Sequence, residues 1–264
     1  MKIPIFQVDA FSERPFSGNP AAVCILEEEK DEDWLRCMAA EINLSETAYI
    51  WKIKNGFLLR WFTPKMEVDL CGHATLASAH ILWEAGYLKI GDIAEFSTLS
   101  GVLKAKKRGD WIELDFPVEN VECAEIPSKL TEALKTFPKY YGKNRMDGLV
   151  LLNSEEEVLE LRPNFETLSQ IEVRGIIVTA PTLAKEFDFV SRFFAPRFGI
   201  NEDPVTGSAH CCLGPFWGDL LGKSELMAYQ LSQRGGIVKM SLKGDRIVLG
   251  GKAVTVFSGE LNVV

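Results

Sequence analysis

The stretch ETAYIWKIKNGFLLRWFTP, residues 46–64, has a partial repeat in VTAPTLAKEFDFVSRFFAP, residues 178–196. The two stretches are separated by half the length of the 264-residue chain and share six identities in nineteen positions. Composition alone predicts about one identity over that length. The shared residues are Thr47, Ala48, Phe57, Arg60, Phe62 and Pro64, each with its counterpart half a chain length later. We therefore predict an internal duplication that gives the chain two related halves.

Each half continues from this stretch to a glycine and an apolar segment. The first segment reads DLCGHATLASAHILWEAG, residues 69–86, and the second reads EDPVTGSAHCCLGPFWGDLLG, residues 202–222. Apolar residues on nearly every face indicate a buried helix, and Gly86 and Gly222 are typical of helix C-termini. Many short runs of β-branched and aromatic residues surround these segments. We predict an α+β fold in which each half wraps a curved sheet around one central helix.

The repeat also predicts the domain organisation. We expect a first domain at residues 1–116 and a second at 117–264, with the strand at 254–264 as an alternative part of the first. Each central helix is predicted to start at a glycine, Gly72 or Gly207. A helix start presents unpaired N–H groups and the positive end of the helix dipole, which favour an anion. We expect two such starts, related by a pseudo-twofold axis, to hold a small carboxylate in an interdomain cleft.

Composition and charge exclude several classes of protein. A net charge of −8 disfavours a nucleic-acid partner, because binding a polyanion needs a basic surface. No apolar run approaches the ~18 residues of a membrane span, and the N-terminus reads as a strand rather than a signal peptide. The six cysteines show no CxxC spacing and the three histidines form no zinc pattern, so we expect a cytoplasmic protein without a metal site.

Four side chains near these helix starts are candidates for chemistry. Glu46 stands at the entry to an apolar strand, where a carboxylate would be partly desolvated, and the repeat makes Val178 its counterpart. His73 and Asp203 flank the two glycines, and Cys71 precedes the first, where a helix start can lower the pKa of a thiol. Each also has a structural explanation. Glu46 would then be a surface residue at a strand end, and His73 a buried, hydrogen-bonded histidine. Asp203 would cap its loop, and Cys71 would be a small buried hydrophobe.

Five ordered blocks resemble the PhzF-like family of phenazine biosynthesis, whose fold is that of diaminopimelate epimerase. The resemblance runs through most of the chain, and five blocks in order are a specific signal, whereas GHAT alone would be weak. The blocks are VDAFSERPFSGNPAAV, NLSETAYI, RWFTPKMEVDLCGHATLASA, EDPVTGSAH and VLGGKAVTVFSGEL. The resemblance implies two barrel-like halves with the active site between them, and an acid/base isomerase without metal or organic cofactor. It also makes a homodimer plausible.

The resemblance assigns roles to residues of these blocks. Glu46 would shuttle a proton on a small carboxylate substrate, and Ser45 in the same block would contribute to substrate binding. Three further side chains would bind or polarise the substrate: His73, Asp203 and Ser208. Backbone amides would hold carboxylate or enolate oxygens, namely those of Gly72, His73, Gly207 and Ser208. One departure from the family pattern is His210-Cys211-Cys212. Because of it, the resemblance does not predict which residues line the substrate pocket.

Two other mechanisms compete with a proton shuttle on Glu46. Proline racemases, which are related, place a cysteine before each helix-start glycine. Here Cys71 fills the first position but Thr206 fills the second, so a symmetric two-thiol mechanism is disfavoured. An epimerase or dehydratase of a small amino or hydroxy acid built on Cys71 is the alternative within the same fold. A catalytically silent module that binds small carboxylates is the non-enzymatic alternative.

Overall fold

The computed structural model describes residues 2–262, and the chain divides into two compact units. The first unit comprises Met1–Asp115 and Gly250–Val264, and the second comprises Phe116–Leu249. The domain limits inferred from the repeat, 1–116 and 117–264, stay a prediction.

The first unit combines strands from both ends of the chain with two helices. Its strands and helices are β1 (Lys2–Ala10), β2 (Asn19–Leu26), α1 (Glu32–Ile42), β3 (Glu46–Lys52), β4 (Phe57–Phe62), β5 (Glu67–Val68), α2 (Gly72–Glu84), β6 (Ala94–Thr98), β7 (Gly101–Arg108), β8 (Trp111–Pro117) and β18 (Ala253–Asn262). β1 pairs antiparallel with β2 and with β18. From β2 the sheet continues with β3 parallel, β4 antiparallel, β6 parallel and β7 antiparallel.

The second unit repeats this succession of strands. Its elements are β9 (Glu122–Cys123), α3 (Ser128–Leu134), β10 (Tyr140–Lys143), β11 (Asp147–Leu151), α4 (Glu155–Glu160), α5 (Phe165–Ser169), β12 (Gly175–Pro181), β13 (Phe189–Ala195), a 3-10 turn (Pro196–Phe198), β14 (Ile200–Asp203), α6 (Gly207–Leu221), β15 (Glu225–Gln230), β16 (Gly236–Lys243) and β17 (Arg246–Gly251). From β11 the sheet continues with β12 parallel, β13 antiparallel, β15 parallel and β16 antiparallel. The predicted α+β class and the duplication are confirmed.

The two glycine-initiated helices differ in how completely they are buried. In α2 the apolar residues of every face are fully buried, including Ala74, Leu76, Ala77, Ala79, Ile81 and Leu82. In α6 burial continues to Gly218, but Leu220 and Leu221 are 57% and 41% exposed. The prediction of burial on all sides is right for α2 and wrong for the last turn of α6. Apolar composition indicates which residues tolerate burial, but it does not say how far a sheet covers a helix.

A pair of equivalent arginines shows which strands of the two units correspond. In β4 the Nε of Arg60 donates to Glu67 Oε1 at 2.7 Å, and in β13 the Nε of Arg192 donates to Glu202 Oε1 at 2.7 Å. Both contacts are bidentate, because a second guanidinium nitrogen bonds the other carboxylate oxygen. The two arginines are counterparts in the sequence repeat, so β4 and β13 correspond as the repeat predicts.

The pairing register of the neighbouring strands gives a different correspondence. Thr47 of β3 lies opposite Phe62, whereas Ile176 of β12 lies opposite Phe194, the counterpart of Phe62. Thr47 therefore corresponds to Ile176 rather than to Thr179. The physical reason is loop length: the β3–β4 loop has four residues, 53–56, and the β12–β13 loop has seven, 182–188.

This register corrects the predicted counterpart of Glu46. In the paired strands the equivalent position is Gly175, not Val178. Ser45 corresponds in the same way to Arg174. The start of β3 thus carries a hydroxyl and a carboxylate, whereas the corresponding positions at β12 carry a guanidinium and no side chain.

Candidate active site

Five residues of the first unit form what we call the Glu46 cluster: Ser45, Glu46, Cys71, Gly72 and His73. Glu46 is the first residue of β3, and the sequence favours a strand there because the apolar run TAYIW follows it. Cys71 is the N-cap of α2, with extended backbone, and Gly72 and His73 are its first two helical residues. The structure therefore brings together the carboxylate, thiol and imidazole that the sequence singled out in this half.

The carboxylate of Glu46 contacts the imidazole of His73. Glu46 Oε2 lies 3.3 Å from His73 Nε2, and the two side chains are 13% and 8% exposed. Burial raises the pKa of Glu46 above its ordinary value, and a hydrogen bond with Ser45 acts in the opposite direction. A carboxyl group whose pKa is raised by desolvation is a stronger base once ionised and is suited to proton transfer near neutral pH.

The thiol of Cys71 lies on the other side of the same imidazole. Cys71 Sγ is 3.5 Å from His73 Nδ1, whereas Glu46 contacts Nε2. The ligand atoms of the three residues lie within 4.8 Å of one another, so a metal ion is a possible occupant. One ion binds a single nitrogen of a ring, however, and here the two partners contact different nitrogens. The arrangement is a thiol–imidazole–carboxylate chain, and the expected absence of a metal stays a prediction.

Five residues of the second unit form what we call the Asp203 cluster: Asp203, Thr206, Gly207, Ser208 and Gln230. The hydroxyl of Thr206 donates a short hydrogen bond to Asp203 Oδ2. Gln230 Nε2 donates to the backbone carbonyl of Asp203 at 2.8 Å, and Gln230 Oε1 accepts from the amide of Thr206 at 3.0 Å. Gln230 is fully buried at the end of β15 and fixes the loop that leads into α6.

The two helix starts share one feature that bears on anion binding. Neither N-cap residue, Cys71 in α2 or Thr206 in α6, bonds the first turn with its side chain, and neither first turn contains an acidic residue. Most N-caps satisfy such N–H groups with a side-chain oxygen. Both starts therefore keep the electrostatic character that favours an anion.

Two residues next to the Asp203 cluster were missed by the sequence analysis. Asp147 begins β11 and is 1% exposed, and Arg174 precedes β12. Arg174 Nε donates to Asp147 Oδ1 at 2.9 Å, and Arg174 Nη2 donates to Ser208 Oγ at 2.9 Å. The available signal was a charged residue before glycine at the start of two apolar runs, MDGLVL and VRGIIV. Parallel pairing of those runs places the two charges side by side.

The His210-Cys211-Cys212 segment that departs from the family pattern is buried inside α6. His210 is fully buried and its Nδ1 lies 2.8 Å from the carbonyl oxygen of Thr206, so the ring donates there. Burial lowers the pKa of His210 to about 4, and burial raises the pKa of Cys211 and of Cys212 to about 12. At neutral pH this segment therefore holds a neutral imidazole and two protonated thiols.

Comparison with known proteins agrees with these features. The family of phenazine biosynthesis-like proteins, PhzC-PhzF, matches residues 8–259. An uncharacterized isomerase of Halalkalibacterium halodurans is 53% identical over 262 residues, 99% of each chain. A crystal structure of a PhzF family protein from Enterococcus faecalis has a TM-score of 0.95 at 42% identity and covers 100% of both chains.

A more distant structure supports the fold alone. The crystal structure of a probable proline racemase from Agrobacterium radiobacter has a TM-score of 0.67 at 10% identity, over 99% of this chain and 93% of that one. Its likeness agrees with the predicted diaminopimelate epimerase-like architecture. With a family match over nearly the whole chain and close relatives named as isomerases, the protein is an isomerase and belongs to the phenazine biosynthesis-like, PhzC-PhzF family.

Proposed function

We propose that this chain is a cofactor-independent isomerase that moves a proton on a small carboxylate substrate, with Glu46 as the general base and acid. The observation that carries the proposal is the buried contact between Glu46 Oε2 and His73 Nε2 at 3.3 Å. A buried carboxylate held by one imidazole at a strand start is oriented and partly desolvated, and both conditions favour proton transfer to and from carbon.

The reaction would proceed by transfer of one proton away from and back to the substrate. The ionised carboxylate of Glu46 takes a proton from a carbon acidified by a neighbouring carboxylate or conjugated system. The electron pair left on that carbon delocalises, and Glu46 returns the proton to a different carbon. Positioned general acid/base catalysis of this kind contributes roughly 10²–10⁴-fold. The amides of Gly72 and His73 at the start of α2 would stabilise the developing negative charge.

The contribution of the second unit stays a prediction. Asp203 and Ser208 were predicted to bind or polarise the substrate, with the amides of Gly207 and Ser208 holding its oxygen atoms. If they serve the substrate on which Glu46 acts, Glu46→Gln and Ser208→Ala should be coupled in kcat rather than independent. A double-mutant cycle measures that coupling.

The experiment that tests the proposal is solvent deuterium uptake. Small amino, hydroxy and unsaturated carboxylates are incubated with the protein in D₂O and analysed by mass spectrometry. We expect uptake into at least one compound, and a loss of roughly 10²–10⁴-fold in Glu46→Gln. The matched control is Glu113→Gln, which removes a carboxylate of the same unit that pairs with Arg108 at 2.9 Å. Uptake that is unchanged in Glu46→Gln contradicts the proposal.

The thiol–imidazole contact supports a second candidate function. Cys71 Sγ lies 3.5 Å from His73 Nδ1, so Cys71 could act as the base of an epimerase or dehydratase. In that case uptake survives Glu46→Gln and is abolished by Cys71→Ala. If no carboxylate exchanges with the wild-type protein, a silent carboxylate-binding module is favoured instead.

Within residues 2–262, no helix has the length and apolar character of a membrane span.

Several broader expectations stay predictions. The cytoplasmic location and the homodimer were inferred from the sequence and its family resemblance. Size-exclusion chromatography with light scattering measures the oligomeric state directly.

A further inference from the structure

Three side chains of the second unit form a chain of hydrogen bonds that ends at the start of α6. Asp147 bonds Arg174 in a bidentate manner, and Arg174 Nη2 donates to Ser208 Oγ at 2.9 Å. We call these three residues the Asp147 relay. It includes Ser208, a residue of the Asp203 cluster, but Asp147 and Arg174 have no part in the mechanism described above.

The contact with Arg174 determines whether the Ser208 hydroxyl donates or accepts a hydrogen bond. A guanidinium has only N–H donors, so Ser208 Oγ must accept from Arg174. A serine hydroxyl has one proton, and that proton is then left to donate elsewhere. Ser208 is the second residue of α6, where the helix dipole favours negative charge. The relay therefore turns the Ser208 hydroxyl into a hydrogen-bond donor for an anionic oxygen.

The surroundings hold Arg174 in the orientation that this role requires. Asp147 is 1% exposed, and its backbone amide donates to the side chain of Asn144 at 2.7 Å. The guanidinium lies 5.5 Å from the centre of the Phe193 ring. Gly175 makes room for that ring, because a Cβ there would lie 2.2 Å from Phe193 Cζ. The Arg174 guanidinium is held on several sides, so it is already oriented before a ligand binds.

The first unit shows that the fold does not need these charges. Register places Asp147 opposite Gly175 and Ala21 opposite Glu46, so Asp147 corresponds to Ala21. By the same register Arg174 corresponds to Ser45. The same strand succession thus forms with two small residues where the second unit holds an ion pair whose aspartate is buried, and removing one partner of a buried charge is costly.

We propose that Arg174, clamped by Asp147, is a positioning residue that orients the Ser208 hydroxyl to donate to a carboxylate oxygen of the substrate. The proposal rests on the proposed function in one respect, the binding of a carboxylate at Ser208. Because Asp147 neutralises the guanidinium charge, the relay orients the Ser208 hydroxyl without adding net charge to the site. It should therefore affect carboxylate binding through Ser208 alone.

The test follows carboxylate binding by NMR in the full chain, without turnover. Benzoate and acetate are titrated, with benzamide as a neutral counterpart, while the amide signals of Gly207 and Ser208 are followed. We expect a carboxylate to shift both signals saturably. The variant Asp147→Asn/Arg174→Met, which leaves no buried charge unpaired, should bind about tenfold more weakly, as expected for loss of one hydrogen bond to a charged group. The control Glu67→Gln/Arg60→Met removes the bidentate ion pair of the first unit and should bind as the wild type does.

A mutant cycle separates positioning from a general effect on the unit. Ser208→Ala should weaken binding by the same factor, and adding the relay substitutions to it should cause no further loss. If the losses multiply, or if the relay variant binds as tightly as wild type, the proposal is overturned. It is also overturned if neither carboxylate shifts the two amides in the wild-type protein.

Two further variants test the same assignment. Arg174→Lys keeps donors and a positive charge beside Asp147, so binding should recover most of the loss. If the double variant does not fold, the proposal is overturned when Arg174→Lys binds as weakly as Ser208→Ala. Glu113→Gln should bind like wild type, and because binding is measured without turnover, the outcome is independent of the deuterium test of the proposed function.

Discussion

The two units share a strand succession and a bidentate arginine–glutamate pair, but they differ at the residues that begin β3 and β12. The first unit has Ser45 and Glu46 there, and the second has Arg174 and Gly175. One duplicated framework therefore presents a desolvated carboxylate in one unit and a clamped guanidinium in the other. The difference shows that a strand start beside a glycine-initiated helix is a position where side chains can change without altering the sheet.

The largest expected effect comes from making the first unit resemble the second. Glu46→Gly removes the proposed base and should lower deuterium uptake by roughly 10²–10⁴-fold. Because the substitution leaves space for a small anion, added formate should restore part of the uptake, whereas formamide should not. Mass spectrometry of the exchanged carboxylate measures both. Equal restoration by the two compounds would indicate that space, not a base, had been supplied.

The fourth residue of each glycine-initiated helix also differs between the two units. Thr75 Oγ1 donates to the carbonyl oxygen of Cys71 at 2.6 Å, and His210 Nδ1 bonds the carbonyl oxygen of Thr206 at 2.8 Å. The two residues are equivalent, because each follows its helix-start glycine, Gly72 or Gly207, at the same spacing. His210 thus takes the structural place of a threonine hydroxyl.

A buried histidine in place of a threonine should make the stability of the wild-type protein sensitive to acid. Burial lowers the pKa of His210 to about 4 in the folded chain, whereas an unfolded histidine titrates near 6.5. The unfolded state binds the proton more tightly, so stability is lost as pH falls from about 6.5 towards about 4, by up to about 3 kcal/mol. His210→Thr should lack this contribution. Urea unfolding at pH 7 and pH 4.5 measures it, and an equal pH dependence in both proteins would contradict the assignment.

Gly175 of the second unit occupies the position that corresponds to Glu46. A Cβ on Gly175 would lie 2.2 Å from Phe193 Cζ, so Gly175→Ala should lower the free energy of unfolding by about 1–3 kcal/mol. The matched control is Gly259→Ala in β18, where the nearest atom, Ile5 Cγ2, is 4.0 Å away. Urea unfolding measures both variants. A loss that is equal at the two glycines would mean that backbone freedom, not the Phe193 ring, decides the effect.

The sequence predicted the duplication and the fold class because identities and glycine-initiated apolar helices survive in both halves. It also singled out Glu46, Cys71 and His73, which the structure places together at a strand start and a helix start of one half. It assigned Val178 as the counterpart of Glu46 because a gapless comparison cannot detect the longer loop between β12 and β13.

The Asp147 relay could not be predicted from the sequence. Asp147 and Arg174 are 27 residues apart, and only the parallel pairing of β11 and β12 brings them together. A charged residue before glycine is common at turns, so the pattern alone favours a solvated loop. Burial of the aspartate and the direction of the guanidinium are tertiary properties.

The smallest expected effect is the pH dependence that Glu46 gives to stability. Burial raises the pKa of Glu46, and the hydrogen bond with Ser45 opposes that change. A carboxyl group whose folded pKa is raised binds its proton more tightly in the folded state, so stability falls as pH rises from the unfolded pKa, about 4.3, through the folded value. The loss is about 1.4 kcal/mol for each tenfold difference in proton affinity between the two states.

Glu46→Gln cannot ionise and should lack this loss. The unfolding free energy of wild type relative to Glu46→Gln should therefore decrease between pH 4 and pH 7. Ser45→Ala, which removes the opposing hydrogen bond, should enlarge the decrease. Because the corresponding position of the second unit is Gly175, no equivalent contribution is expected there. A difference that does not vary with pH would mean that Glu46 is as well solvated in the folded chain as in the unfolded one.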